Sequence, residues 1–219
     1  MLCLGLWQLS RGFEKQSLID AQRDAETAAA LTELPNATEA LSALRYRSVK
    51  LQGHFESNHA LLLDNQITQG KIGYHVLIPF KMAIGQHILI NLGWVPAASS
   101  RKILPNIPPL VGAFTIEGYL EKGYVNPLIS KAIEEEPITW PLRVQKVDYK
   151  LFDELLGVSL LPMIVMLEHP AHSQFTPLSK SRKWLTPEKH FGYAFQWFSL
   201  AIALMVLCFL TLWKKKKSL

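Results

Sequence analysis

The longest apolar stretch of the chain lies at its end, where Phe191 to Trp213 run 23 residues without a charge. As a helix rising about 1.5 Å per residue, this block reaches roughly 34 Å, enough to cross a bilayer core of about 30 Å. Thr186 is suited to the N-cap, Pro187 to the first helical position, and Glu188 to the positive end of the helix dipole. Tyr193 and Trp197 fall at one interface and Trp213 at the other, as the rings of an aromatic belt do. Residues 190–213 are therefore predicted to form a C-terminal transmembrane helix. Lys214 to Lys217 make residues 214–219 a basic tail, which the positive-inside rule places in the cytoplasm. His190 then lies at the outer mouth.

The other end is apolar too, but shorter. Met1 to Leu9 is apolar except for Gln8, and nine residues do not span a bilayer. With neither a basic leader nor a small-residue cleavage site, residues 1–10 read as the outer end of a truncated first transmembrane helix that starts upstream. Residues 11–34 are rich in Ala, Glu, Gln, Lys and Leu, which favours a helical extension ending at Pro35-Asn36. A further short helix is weakly signalled at Glu39 to Leu44.

From Arg45 the period changes to two. Tyr46 to Phe55 alternates apolar and polar positions with one slip near Arg47-Ser48. Ala60 to Asn65, Tyr74 to Phe80, His87 to Val95, Ala113 to Leu120 and Leu161 to Leu167 follow as strands. The Gly-containing connections 66–73 and 82–86 suit antiparallel hairpins. Pro96 to Pro109 is a Pro- and Ser-rich loop, and 123–141 is another, with Glu134 to Glu136 as a solvated face. Tyr149 to Leu156 reads as an amphipathic helix closed by Gly157. The expected fold is an α+β membrane protein. Its β-rich antiparallel extracytoplasmic domain, residues 45–183, is a barrel or a sandwich held between the two transmembrane helices.

The formal charge of +5 includes four positives from Lys214 to Lys217, so it marks membrane lipid as the partner and nucleic acid is not expected. Cys3 and Cys208 lie in apolar segments near opposite ends, a poor basis for a disulfide or a thiolate site. Gly70 to Gly73 lacks a phosphate-loop fingerprint, and Gly157-Val158-Ser159 is no nucleophile elbow. Pro170 breaks the helix that would aim His169 and His172 at one metal. His54, His59, His75 and His87 read as structural or surface residues. No catalytic residues are expected, and the chain reads as no enzyme. His190 differs by its place: on a helix it shares a face with Tyr193, Ala194, Trp197, Ala201 and Leu204. Small residues there leave room for a flat apolar ligand, with a neutral imidazole as donor to iron.

Five separated stretches carry a resemblance. They are Gly5-Leu6-Trp7-Gln8 to Arg11 with Lys15, then Tyr46 to Phe55, and Leu63 to Gln66 with Gly73 to Phe80. Asn91-Leu92-Gly93-Trp94-Val95-Pro96 and His190 with Tyr193-Ala194-Phe195-Gln196-Trp197-Phe198 complete the set. In this order they resemble the Surfeit locus protein one family of cytochrome c oxidase assembly factors, in its bacterial type. The resemblance implies two membrane helices flanking a periplasmic domain, in the inner membrane. It also implies a chaperone that protects haem A during insertion into the oxidase catalytic subunit, downstream of haem A synthase. Trp7, Gln8, His190, Tyr193, Ala194 and Trp197 are its implied cofactor-binding residues, with His190 as the axial ligand to haem iron. The alternative is a membrane-anchored scaffold for oxidase subunits that binds no haem and docks through the Asn91 to Pro96 surface. Leu92 departs from the family pattern, which has Arg there.

Overall fold

In the computed structural model the described residues are 1–123, 129, 131–133, 137–178 and 186–217, with side chains as far as Lys214. The expected acidic face 134–136, the stretch 184–185 before the C-terminal helix and the last two residues lie outside them. The chain divides into two units, Ala25–Ser179 and Met1–Asp24 with Lys180–Leu219. The first of these holds the strands.

Seven strands follow one another as β1 (Ser48–Phe55), β2 (Leu61–Thr68), β3 (Lys71–Met82), β4 (His87–Pro96), β5 (Phe114–Glu121), β6 (Leu142–Val144) and β7 (Leu160–Leu167). Five close into a ring in the order β1-β3-β4-β7-β5, with β5 returning to β1. The architecture is thus a barrel, a closure that gives each of these five strands a neighbour on both sides. β3 makes this possible through its length. Residues 71–77 pair with β2, and Phe80 to Met82 pair with β1. The handover falls at Pro79, which has no N–H to give to a ladder and whose carbonyl accepts from Glu56 N at 2.8 Å. The hairpins are antiparallel, but β4 runs parallel to β7 and β6 parallel to β2, so the sheet is mixed. Parallel neighbours need long crossovers, and the segment between β5 and β7 includes the helix Tyr149–Leu156. Asp148 caps it by accepting from Leu151 N, and Gly157 ends it at φ +67.

Burial follows the period of two in β1, where Val49, Leu51, Gly53 and Phe55 turn inward and Lys50, Gln52 and His54 outward. In β3 and β4 both faces are buried. Val76, Ile78, Phe80, Ile88 and Ile90 enter the barrel core, while Leu77 and Leu89 join a second cluster with Phe152 of the Tyr149–Leu156 helix. That is why these two strands read as nearly continuous apolar runs. A strap, residues 97–113, closes over the barrel with Leu104, Ile107 and Leu110 against the core. It is pinned by Ser57 Oγ to Leu110 and by Arg101 to the buried carboxylate of Asp64 at 2.7 Å.

The slip near Arg47 has a backbone cause: Tyr46 sits at φ +70 and the strand begins only at Ser48. The connection 66–73 is shorter than expected, because only Gln69 and Gly70 leave the ladder. Both have positive φ, the two-residue turn that matches strand twist. In β4, Val76 faces Gly93 and Leu77 faces Asn91, so Leu92 is the extra residue of a bulge. Its side chain is buried in the barrel core, an environment that suits leucine at a position where the resemblance has arginine. Asn91, Leu92, Trp94 and Val95 are all 5 % exposed or less. Asn91 to Val95 therefore pack inside the domain and only Pro96 is exposed, which leaves little of this segment for the docking expected of it.

His75 pairs with Trp94 on β4 and Leu63 on β2, and burial lowers its imidazole from 6.5 to about 4. Over that interval the unfolded chain binds the proton and the folded one does not. His75 thus costs no stability above pH 6.5 and progressively more as the pH falls, summing to about 3 kcal/mol. Urea unfolding of the whole chain in detergent should weaken between pH 7.5 and 4.5, and His75→Gln should lessen that loss.

Candidate functional site

The second unit is a pair of helices. α1 covers Leu2–Thr27 and α4 covers Pro187–Lys217 (α2, Thr38–Ala43, and α3, the Tyr149–Leu156 helix, belong to the barrel unit). α1 is continuous across Arg11 but stops at Thr27, short of Leu34. Residue Leu31 is drawn instead into a bridge with Val49. Among the described residues one helix, Pro187–Lys214, is long and apolar enough to cross a membrane.

Glycines set how α1 and α4 meet. A Cβ added to Gly5 would stand 2.7 Å from the Phe198 ring, and one added to Gly12 would stand 2.4 Å from the Phe191 ring. Both pairs are spaced by seven residues, so phenylalanine knobs enter glycine gaps on an antiparallel seam. Phe13 adds an edge-on contact to Phe191, with centroids 5.3 Å apart. Ala194 and Ala201 are 2 % and 6 % exposed, so the small residues of α4 serve close helix packing. The room expected beside them for a flat ligand is filled. Gly5 and Phe198 belong to stretches that carry the resemblance, but their pairing, like that of Gly12 with Phe191, was not expected from the sequence, although the paired spacing of seven is legible there.

Between the two glycine layers lies the one polar contact of interest. His190 Nδ1 is 2.7 Å from Gln8 Oε1. His190 is 9 % exposed and is the only histidine of this unit. Because a side-chain carbonyl oxygen only accepts, this contact is a hydrogen bond when Nδ1 carries the proton. Nε2 is then the ring nitrogen with a lone pair, the form in which imidazole binds metals. The structure thus brings Gln8 and His190 together from positions 182 residues apart.

The other expected residues are distributed differently. Ala194 is buried in the seam and Trp197 half-buried. Tyr193 and Leu204 are 45 % and 52 % exposed, off the face that His190 shares with Ala194. Trp7 is exposed, with the Arg11 guanidinium 5.9 Å over its ring. In the barrel unit, His172 packs on Phe175 and accepts from Gln174 N, and His87 lies 3.3 Å from Glu56. Cys3 and Cys208 are both free. Among the described residues no group of three His, Cys, Asp or Glu side chains is placed to hold a metal.

Known proteins match most of the chain. Residues 1–202 match the profile described as the SURF1 family. The chain is 25 % identical to a SURF1-like protein of Rickettsia felis, covering 94 % of this chain and 89 % of that one. It is 24 % identical to Surfeit locus protein 1 of Takifugu rubripes, covering 98 % and 93 %. Over a shorter stretch, 42 % of this chain and 35 % of the relative, it is 32 % identical to Surfeit locus protein 1 of Mus musculus.

Proposed function

The chain belongs to the SURF1 family, and from that premise we propose that it assists assembly of cytochrome c oxidase by holding haem A on His190. The group would arrive from haem A synthase and leave for the catalytic subunit of the oxidase, and the chain itself would catalyse nothing. The observation that carries this reading is the contact of His190 Nδ1 with Gln8 Oε1. It gives a nearly buried histidine the proton arrangement of a metal ligand.

The donor set fits a haem, which needs one imidazole nitrogen from the protein and supplies its own iron and macrocycle. The closed Gly5–Phe198 and Gly12–Phe191 layers leave no slot between the helices. The macrocycle would lie on the outside of the pair, where Trp7 and Tyr193 offer exposed rings. A bound haem would supply the coloured macrocycle and its iron; His190 would hold the iron and Gln8 would orient His190.

Membrane placement follows from the same pair. The charges of α1 begin at Arg11, and the uncharged run of α4 begins at Phe191. These two levels adjoin, since Gly12 packs on Phe191. A common polar boundary supports a multi-pass arrangement in the inner membrane, with residues 1–10 and α4 in lipid and the barrel in the periplasm. Lys214 to Lys217 support a cytoplasmic C-terminus. The test is co-expression with a haem A-producing pathway. The purified protein should carry a haem absorption band, and a wild-type protein without one would end the haem reading.

A further inference from the structure

We propose that Gln8 is the positioning residue of this site, holding His190 in the Nδ1–H form so that Nε2 keeps its lone pair. The proposal rests on the reading of His190 as the haem ligand.

A neutral imidazole has one N–H and one bare nitrogen, and in water the two forms are close in energy. A single well-aligned acceptor is enough to choose between them. Gln8 Oε1 stands 2.7 Å from Nδ1, within the range of a short, strong hydrogen bond. His190 is 9 % exposed and Gln8 half-buried, so water competes weakly for either partner.

The reach of Gln8 is set by the seam. Helices usually pack with axes 8–10 Å apart, the lower end requiring small side chains at the contact. Gly5 lies three residues before Gln8 and Gly12 four after it, so both flanking contacts are made by residues without a Cβ. The glycines therefore fix both the distance and the rotation at which the amide meets the ring. Were the amide turned over, its NH2 would donate to Nδ1, the proton would move to Nε2, and the ring could not bind iron through that nitrogen. The side chain thus decides between a ligand and a non-ligand without touching the metal.

Gln8→Leu removes the amide and leaves a shorter apolar side chain, and Gln8→Glu keeps an acceptor and adds charge. In haem-free protein labelled with nitrogen-15 in histidine, the His190 signals are identified by their absence from His190→Ala. In wild type they should report a protonated Nδ1 and a bare Nε2, and in Gln8→Leu a mixture of the two forms. With haem, Gln8→Leu should retain it about 10–100-fold more weakly. Gln8→Glu should retain it with a lowered reduction potential, as expected for a more basic imidazole. A protonated Nε2 in wild type would overturn the proposal, as would haem retention unchanged in Gln8→Leu. Wild-type protein that takes up no haem would overturn the parent reading alone, because the nitrogen signals decide the role of Gln8 without haem.

Discussion

Replacing His190 by alanine should abolish the haem band of the purified protein and lower haem retention by more than about a hundredfold. That is beyond the upper end of what removing an outer-shell partner alone costs. The expectation is steep because His190 is the only histidine of the helix-pair unit, so no second imidazole of that unit can replace it. The fold should survive. Alanine is the best helix former, and the seam is made by Gly5, Gly12, Phe191 and Phe198. Circular dichroism and membrane extraction should match wild type. Unchanged haem content in His190→Ala would remove the ligand role. If His190→Ala bound no haem yet still supported oxidase assembly in cells, the scaffold function would be the better account.

Gly53→Val should destabilise the barrel by more than about 3 kcal/mol, at the severe end for one substitution. Gly53 faces Met82 across the β1–β3 junction that closes the ring. A Cβ there would stand 2.1 Å from the carbonyl oxygen of Lys81 and 2.7 Å from the Phe80 ring. The first neighbour is backbone, so relief requires the strands to part. Gly70→Ala gives the contrast. Its Cβ meets nothing within 4 Å, but the residue sits at φ +76, so the cost should be only about 1 kcal/mol. Denaturant midpoints of the two variants measure the difference. Equal midpoints would show that ring closure at β1–β3 adds nothing to stability.

Local chemistry made several elements legible. The alternation of Val49, Leu51 and Phe55 marked β1, and the Asp148 neighbourhood and Gly157 bracketed the Tyr149–Leu156 helix. The exposed apolar face of Phe191 to Trp213 marked α4. What the sequence hid is held by distant partners. Nothing in residues 28–34 breaks a helix, yet Leu31 pairs with Val49. Leu142–Val144 is three residues long and exists as a strand because Leu61 to Leu63 lie beside it. Barrel and sandwich differ in whether β1 reaches β3, a contact that no local pattern encodes. At the site, the helical face of α4 gave His190 with Ala194, but its ligand-sized space required α1 to be elsewhere. The resemblance placed Gln8 near the end of the first helix, and only the antiparallel seam sets its amide against the imidazole.

That seam has a consequence for biosynthesis. α1 precedes the barrel unit in the chain and α4 follows it, and the barrel unit has its own apolar core. The barrel sequence is therefore complete before residue 190 is added to the chain. A product terminated anywhere earlier presents Gln8 without its imidazole and the Gly5 and Gly12 gaps without their phenylalanines. On the proposed reading, a chain that ends before residue 190 lacks the ligand and takes up no reactive cofactor.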